Sequence, residues 1–205
     1  MIDFDSSSLA AKDKYKLLTG SVVPRPIAWI TSRAIEGNIN AAPFSYFNIV
    51  SSEPPLIAVS VNRTEGHCKD TARNILENGE AVIHIVSGDL VEKMNTTAAS
   101  LEPHMSELEL AEPQTEPSDI VNVPRIKGTK MQLEAKLTQH IPITNDENAI
   151  VNDLLIMRIL KFHFDEEVLD SQNLYILYDK LDPMSRLAGN NYGTLGKTFE
   201  IERPN

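Results

Sequence analysis

Between residues 21 and 33 the chain reads SVVPRPIAWITSR, a mixture of apolar and β-branched positions around two prolines. Pro24 and Pro26 lack an amide hydrogen and fix their own φ. That excludes a helix interior and favours an extended entry. Ile27 to Thr31 then reads as a strand, Glu36-Gly37-Asn38 as a turn, and Ile39 onward as the return strand of a hairpin. Residues 56–61 (LIAVSV) and 80–86 (EAVIHIV) predict two short buried strands. In 131–143 the polarity alternates with period two, which puts Leu133, Ala135 and Leu137 on one face of a strand. Residues 149–164 are apolar, β-branched and aromatic, and predict a long strand after it.

Helical signals are fewer. Lys69-Asp70-Thr71 opens a helix, with Asp70 expected as its N-cap. Asn78-Gly79 supplies a left-handed stop. Ser87-Gly88-Asp89 starts a second, short helix toward Met94. Residues 40–55 follow neither period. Pro43, Pro54 and Pro55 interrupt them, yet Phe44, Tyr46, Phe47 and Ile49 need burial. They predict an apolar loop that is covered by other structure or wraps a ligand. Residues 95–130 carry four prolines and predict an irregular insertion with a short helix inside. After Leu181 the pattern predicts loop and turn, then a short terminal strand. Strands outnumber helices and strand–helix–strand units are few. The expected class is mainly β with added helices, arranged as an antiparallel barrel and not a doubly wound sheet. With 205 residues, one domain over 1–205 is the expectation.

Composition changes this picture little. Hydrophobic residues make up 41% and charged residues 23%, as in ordinary soluble proteins. The net charge of −10 argues against a general nucleic-acid binder, though a local basic pocket remains compatible with it. The single cysteine, Cys68, excludes a disulfide within the chain and a CxxC pair, and fits a reducing compartment. No apolar run approaches the roughly 18 residues of a membrane span, and residues 1–16 lack a signal-peptide core. A cytoplasmic protein with no membrane contact is expected. Rossmann, P-loop, HExxH and GxSxG signatures are missing. The five histidines lack metal-ligand spacing, so no metal site is expected.

The candidate chemistry lies between residues 25 and 71. Arg25, Thr31, Ser32, Asn40, Ser45, Asn48, Ser60, Asn62 and Arg63 are hydrogen-bonding residues at or near strand ends. Lys69 and Thr71 stand at a helix start, where free amides and a partial positive charge suit a phosphate dianion. On spacing alone, a capped helix with a solvated lysine is the better account. His84 reads as structural, Cys68 as a passive thiol, and the acidic run 102–116 as a solvated face.

Three ordered motifs, VPRPIAWITS (23–32), NAAPFSYFNIVSSEPP (40–55) and KDTARNILENGE (69–80), resemble the flavin reductase-like, FMN-binding split-barrel family, which includes flavoredoxins. DPMSRLAGNNYGTL (182–195) resembles its closing motif. The resemblance runs from about Tyr15 to Tyr192 and is weakest over 95–130. It implies an antiparallel split β-barrel, a homodimer, and FMN near the subunit interface. It implies that Trp29, Ile30, Thr31 and Ser32 line the ring and ribityl chain, Trp29 being equally readable as a core aromatic. Ala41, Ala42, Pro43, Phe44 and Ser45 would run along the ring, with Asn48 near it. Ser60, Arg63, Lys69 and Thr71, together with Arg25 at the first motif, belong to the cofactor-binding set, the phosphate lying by Ser60, Arg63, Lys69 and Thr71. Arg186 and Tyr192 would approach from the closing motif. The implied activity is NAD(P)H-dependent flavin reduction by hydride transfer to flavin N5, with NADH or NADPH as donor and a partner monooxygenase as a candidate recipient. Such chemistry rests on the flavin, and a protein acid or base is not required. Family members that reduce free flavins often carry Gly-Asp-His in a late strand. Here the place reads Thr138-Gln139-His140, which leaves His140 as a weak nicotinamide candidate. A flavoredoxin-like electron carrier without NAD(P)H activity of its own is the alternative.

Overall fold

The computed structural model describes residues 1–98 and 113–204. The expected short helix within 95–130 and most of the acidic run 102–116 lie outside the described residues. In chain order the elements are α1 (Ala11–Ser21), β1 (Arg25–Pro26), β2 (Ala28–Arg33), β3 (Ile39–Phe44), β4 (Phe47–Ser52) and β5 (Pro55–Asn62). Then come α2 (Asp70–Asn78), β6 (Glu80–Ile85), α3 (Val91–Thr96), β7 (Thr115–Glu116), β8 (Arg125–Ile126), β9 (Met131–Thr144) and β10 (Ile150–Phe164). A small ribbon, β11 (Leu169–Asp170) with β12 (Tyr175–Ile176), precedes β13 (Ser185–Arg186) and β14 (Tyr192–Gly193).

Seven strands form one antiparallel sheet in the order β3-β2-β6-β9-β10-β5-β4. Its two outermost strands, β3 and β4, are consecutive in the chain and joined only by Ser45 and Tyr46. Laid flat, seven strands would hold β3 and β4 about 29 Å apart, at about 4.8 Å per gap. The three Cα steps from Phe44 to Phe47 reach no more than about 11 Å. The sheet must therefore curl on itself, and the result is the split antiparallel barrel that the sequence predicts.

The barrel interior holds Ile30, Val59, Val61, Ile83, Leu133, Ala135, Leu155 and Met157, with Ala72 and Ile75 of α2 closing over it. A second core on the outer side of β2 holds Ile27, Trp29, Ala41, Val86, Met94 and Ile126. β2 is thus buried on both faces, which is why Ile27 to Ile30 are apolar without alternation and the Thr31 and Ser32 that follow are also buried. Trp29 is wholly buried, and its Nε1 donates to Thr97 Oγ1 at 2.9 Å.

Three expectations are corrected. Residues 40–55 are not a loop: they form β3 and β4 around a two-residue link. Pro43 is tolerated because β3 is an outermost strand of the sheet, with no ladder partner needed on one side. Of the four bulky residues, Phe44 and Phe47 join the core, but Ile49 is 75% exposed. Asp70 is not the N-cap: Lys69 holds that position without a side-chain cap, and the Asp70 carboxylate pairs with Arg73 at 2.7 Å. The predicted stop is present, with Gly79 at φ 78°.

Candidate functional site

A groove runs along the outside of the barrel, between α1 and the β4–β5 ladder. Its apolar end, about 450 Å³, is walled by Leu18, Val22, Pro24, Phe47 and Ala58, with Asn48 beside them. Its polar end, about 150 Å³, is walled by Ser60, Asn62, Lys69 and Arg186, with Tyr15, Pro43 and Phe44. Thr19, Arg25, Ser45 and Tyr46 border both ends. Ser60 and Asn62 reach the groove because they alternate along β5 with Val59 and Val61, which face the interior.

Arg25 fastens the groove wall. Its Nη1 donates to the carbonyls of Thr19 (2.6 Å) and Val22 (2.5 Å) at the end of α1, and its Nη2 to that of Leu187 (2.9 Å). Its Nε is buried and has no hydrogen-bond partner among the described residues. Asn152 of β10 donates from Nδ2 to Ser60 Oγ (3.1 Å) and Asn62 Oδ1 (2.5 Å), which orients both. Lys69 is exposed and has no ion pair among the described residues. It stands at the start of α2 as the N-cap residue and makes no side-chain cap bond there. Arg186 lies over the Tyr192 ring, 4.5 Å from its centroid, and donates to the Gly189 carbonyl at 2.6 Å. Tyr192 in turn donates to Asn95 Oδ1 at 2.7 Å. Lys69, Arg25 and Arg186 make the polar end locally positive on an acidic protein, and an uncapped helix start adds to it.

The groove brings together Arg25, Pro43, Phe44, Ser45, Asn48, Ser60, Lys69 and Arg186 of the expected set. Tyr192 reaches it through its stacking on Arg186. Trp29, Thr31, Ser32 and Ala41 are instead buried in the barrel wall, and Ala42 packs against the interior core. Thr31 donates to the Pro124 carbonyl at 2.8 Å, and Ser32 accepts from Asn74 at 3.2 Å. Thr71 is buried in the first turn of α2, its Oγ1 accepting from Asn40 Nδ2 at 2.6 Å.

Arg63 is a clearer departure. Its Nε and Nη2 both donate to the buried Asp153 carboxylate at 2.9 Å. His140 Nε2 meets Asp153 Oδ1 at 2.9 Å, and Cys68 donates to Oδ2 at 3.5 Å. Asp153 is paired with Val61 across the β10–β5 ladder and shares its inward face. The Arg63–Asp153–His140 knot therefore closes one end of the barrel interior, on the opposite face of β5 from Ser60 and Asn62. Arg63 hydrogen bonding holds the Asp153 carboxyl below its usual range, with His140 and Cys68 adding to this. Burial, with Asp153 beside it, pushes the Cys68 thiol up to about 11. That thiol is passive at neutral pH.

Asp119, Glu134 and His163 also converge, but each has protein partners. Glu134 accepts the amides of Asp119, Ile120 and Val121 at 2.7–3.0 Å and a bond from His163 at 2.6 Å. Lys161 bonds to Asp119. Burial alone would raise the Glu134 carboxyl, and these donors outweigh it and lower it. This cluster anchors the 119–121 loop to the barrel.

The sequence reading missed the α1 wall (Tyr15, Leu18, Thr19, Val22) and Asn152. Tyr15, Leu18 and Val22 recur at i, i+3 and i+7, so an apolar helical stripe was available as a signal.

Comparison with known proteins follows this geometry. The family model for the flavin reductase like domain matches residues 19–182. A protein of Bacillus subtilis (strain 168) is 51% identical over 204 residues, covering 100% of both chains. The crystal structure of nitrilotriacetate monooxygenase component B from Bacillus cereus superposes with a TM-score of 0.95 at 45% identity, covering 98% of each chain. That of Pseudomonas fluorescens 2-nitrobenzoate 2-nitroreductase gives 0.89 at 32% identity, over 99% of this chain and 96% of that one. The match over 164 residues, the barrel and the preserved motifs together establish that the chain belongs to the flavin reductase-like domain family.

Proposed function

We propose that the protein is an FMN-dependent oxidoreductase that accepts electrons from NADH or NADPH, works in the cytoplasm as a homodimer, and uses one domain spanning the chain. The observation that carries this reading is the bipartite groove. An apolar slot flanked by Asn48 and Ser45 suits a flat heteroaromatic ring that has polar edges. The adjoining end, with Lys69, Ser60, Asn62 and an uncapped α2 start, suits a phosphate at the far end of the same ligand. Arg25 borders both ends and ties the end of α1 to the wall between them.

A bound flavin would supply the redox chemistry, as the acceptor of a hydride from a reduced nicotinamide. The protein's own residues then bind and orient. Lys69 holds the phosphate, Ser60 and Asn62 are aligned by Asn152, and Arg25 fixes the end of α1 against the slot. No protein acid or base is required for such a transfer. Kinship with a monooxygenase component B at 45% identity supports release of reduced flavin to a partner oxygenase.

The second reading is an electron carrier without nicotinamide activity. It is favoured by one observation: His140 is bonded to Asp153 inside the barrel end and not presented to the groove. Anaerobic addition of NADH, then NADPH, to the FMN-loaded protein distinguishes the two. Rapid bleaching of the flavin band supports the reductase, and an unchanged band supports the carrier. A protein that neither copurifies with flavin nor quenches FMN fluorescence would overturn both.

A further inference from the structure

α2 meets the barrel along two stripes of different chemistry. Ala72, Ile75 and Leu76 pack into the interior core. Thr71, Asn74 and Asn78, at i, i+3 and i+7, share a second face and are polar. Asn40 on β3 donates from Nδ2 to Thr71 Oγ1 at 2.6 Å. Asn74 donates from Nδ2 to Ser32 Oγ on β2 at 3.2 Å, and Asn78 from Nδ2 to the Arg33 carbonyl on the same strand. Ser32 and Asn40 stand opposite each other in the β2–β3 ladder. Successive turns of the helix are thus tied to adjoining places on the β2–β3 hairpin.

The two stripes do different things. Apolar contact is non-directional, and alone it lets a helix slide or turn on its bed. A buried hydrogen bond holds one arrangement, because a shift strands a desolvated donor or acceptor. Thr71 is 1% and Asn40 8% exposed, so bulk water does not replace the bond between them. Neither side chain borders the groove. Yet Thr71 is the second residue of α2, two positions from Lys69, which does border it. Ser60 and Asn62, the other polar groups assigned to that end, stand on β5, in the same sheet as β3. The Asn40–Thr71 bond therefore fixes the first turn of α2, and Lys69 with it, against the strands that carry the rest of the polar end.

We infer that Asn40 is a positioning residue for the phosphate of the bound flavin, acting through Thr71 and never touching the ligand. The inference rests on the flavin reading of the groove and deepens it. It departs from the family resemblance, which puts Thr71 beside the phosphate itself: in this chain the Thr71 hydroxyl is buried and accepts from the sheet. A site that grips a small anion needs its donors held to a fraction of an ångström, and the holding is done by bonds behind the groove wall. Asn74 is the natural comparison. It is as buried as Thr71 and bonded to the same hairpin, but it stands five positions from Lys69. It secures the helix to the barrel without setting the first turn.

The test titrates FMN and riboflavin in parallel, by fluorescence quenching, into full-length parent, Asn40→Ala, Thr71→Val, Thr71→Ser and Asn74→Ala. Asn40→Ala and Thr71→Val should each lose about three- to tenfold in FMN affinity and keep their riboflavin affinity. Thr71→Ser retains the hydroxyl and should stay within about twofold of the parent. Asn74→Ala should lower the urea midpoint and leave the FMN-to-riboflavin ratio as it is. The phosphorus-31 resonance of bound FMN should move in Asn40→Ala while the flavin absorption band does not. If Asn40→Ala fails to fold, Asn40→Ser, whose hydroxyl is too short to reach Thr71, takes its place with the same expected outcome. Loss of FMN affinity in Thr71→Val alone would mean that the hydroxyl meets the phosphate directly, and the positioning role is overturned. Equal losses for both flavins in Asn40→Ala would overturn it too, leaving Asn40 a purely structural residue. If the parent itself does not prefer FMN to riboflavin, the phosphate reading of the polar end fails first, and the role of Asn40 with it.

Discussion

Lys69 and Arg63 carry the same charge, lie six positions apart and were both expected at a phosphate. Their surroundings separate them. Lys69 is exposed at the start of α2, while Nε and Nη2 of Arg63 are fixed on a buried carboxylate. A charge-assisted hydrogen bond to phosphate is worth about 1.5–3 kcal/mol, so Lys69→Ala should weaken FMN binding by roughly 10- to 100-fold. Riboflavin, which lacks the phosphate, should bind that variant nearly as well as the parent. Arg63→Ala should show the opposite profile. Removing it strands the buried Asp153 charge, which costs about 3 kcal/mol of fold stability, yet it should not discriminate FMN from riboflavin. Parallel fluorescence titrations and urea melts of the two variants check this. A selective loss of FMN in Arg63→Ala would put that side chain back at the phosphate.

His84 does comparable work between elements. It stands on β6, its Nδ1 donates to the Trp29 carbonyl on β2 at 2.8 Å, and its Nε2 accepts the Ile126 amide of β8 at 2.9 Å. Only the neutral ring with the proton on Nδ1 can make both bonds. Burial, the largest influence, pushes its pKa down from 6.5 to about 4. In the unfolded chain the ring takes up a proton below about pH 6.5, whereas the folded ring resists until about pH 4. The unfolded state thus binds the extra proton in this window. The stabilisation is fully present above pH 6.5 and lost as pH falls toward 4, by roughly 3 kcal/mol in all. Urea melts of the parent between pH 7 and 4.5 should show this decline. The slope in His84→Gln should be shallower by about one proton. Equal slopes would mean His84 is not the buried neutral group. Of the fold, what was legible in the sequence was what burial writes locally: the β9 alternation, the β2 strand, the Gly79 stop. What stayed hidden depends on partners far along the chain. Arg63 and Asp153 are 90 positions apart, and Glu134 is held by amides of a loop that no periodicity marks. A return strand was expected from Ile39, where β3 begins, but the rest of β3 and all of β4 read as loop because Pro43 and Ser45 break the strand pattern there. The α1 wall was overlooked because its stripe is exposed within this chain, and burial was the signal being sought.

For the molecule as a whole, α1 is the element whose stability cannot be assigned to the barrel. Arg25 pins its last turn through the Thr19 and Val22 carbonyls, but the turns before it have no buried apolar residue. Helix nucleation is unfavourable and eleven residues propagate too few bonds to offset it alone. If a second copy covers the stripe, helix formation and association are linked by mass action, and any ligand seated against α1 strengthens both. The amide hydrogens of residues 15–18 should therefore exchange quickly in dilute protein and slowly in concentrated protein. FMN should add protection at fixed concentration. Those of β6 and β9, inside the barrel, should be protected regardless. Hydrogen–deuterium exchange followed by mass spectrometry at two protein concentrations, with and without FMN, reads all three segments in one experiment. Protection of α1 that ignores concentration would mean the helix is held by its own chain. In that case the groove would be complete in a single copy, and flavin affinity should not change on dilution.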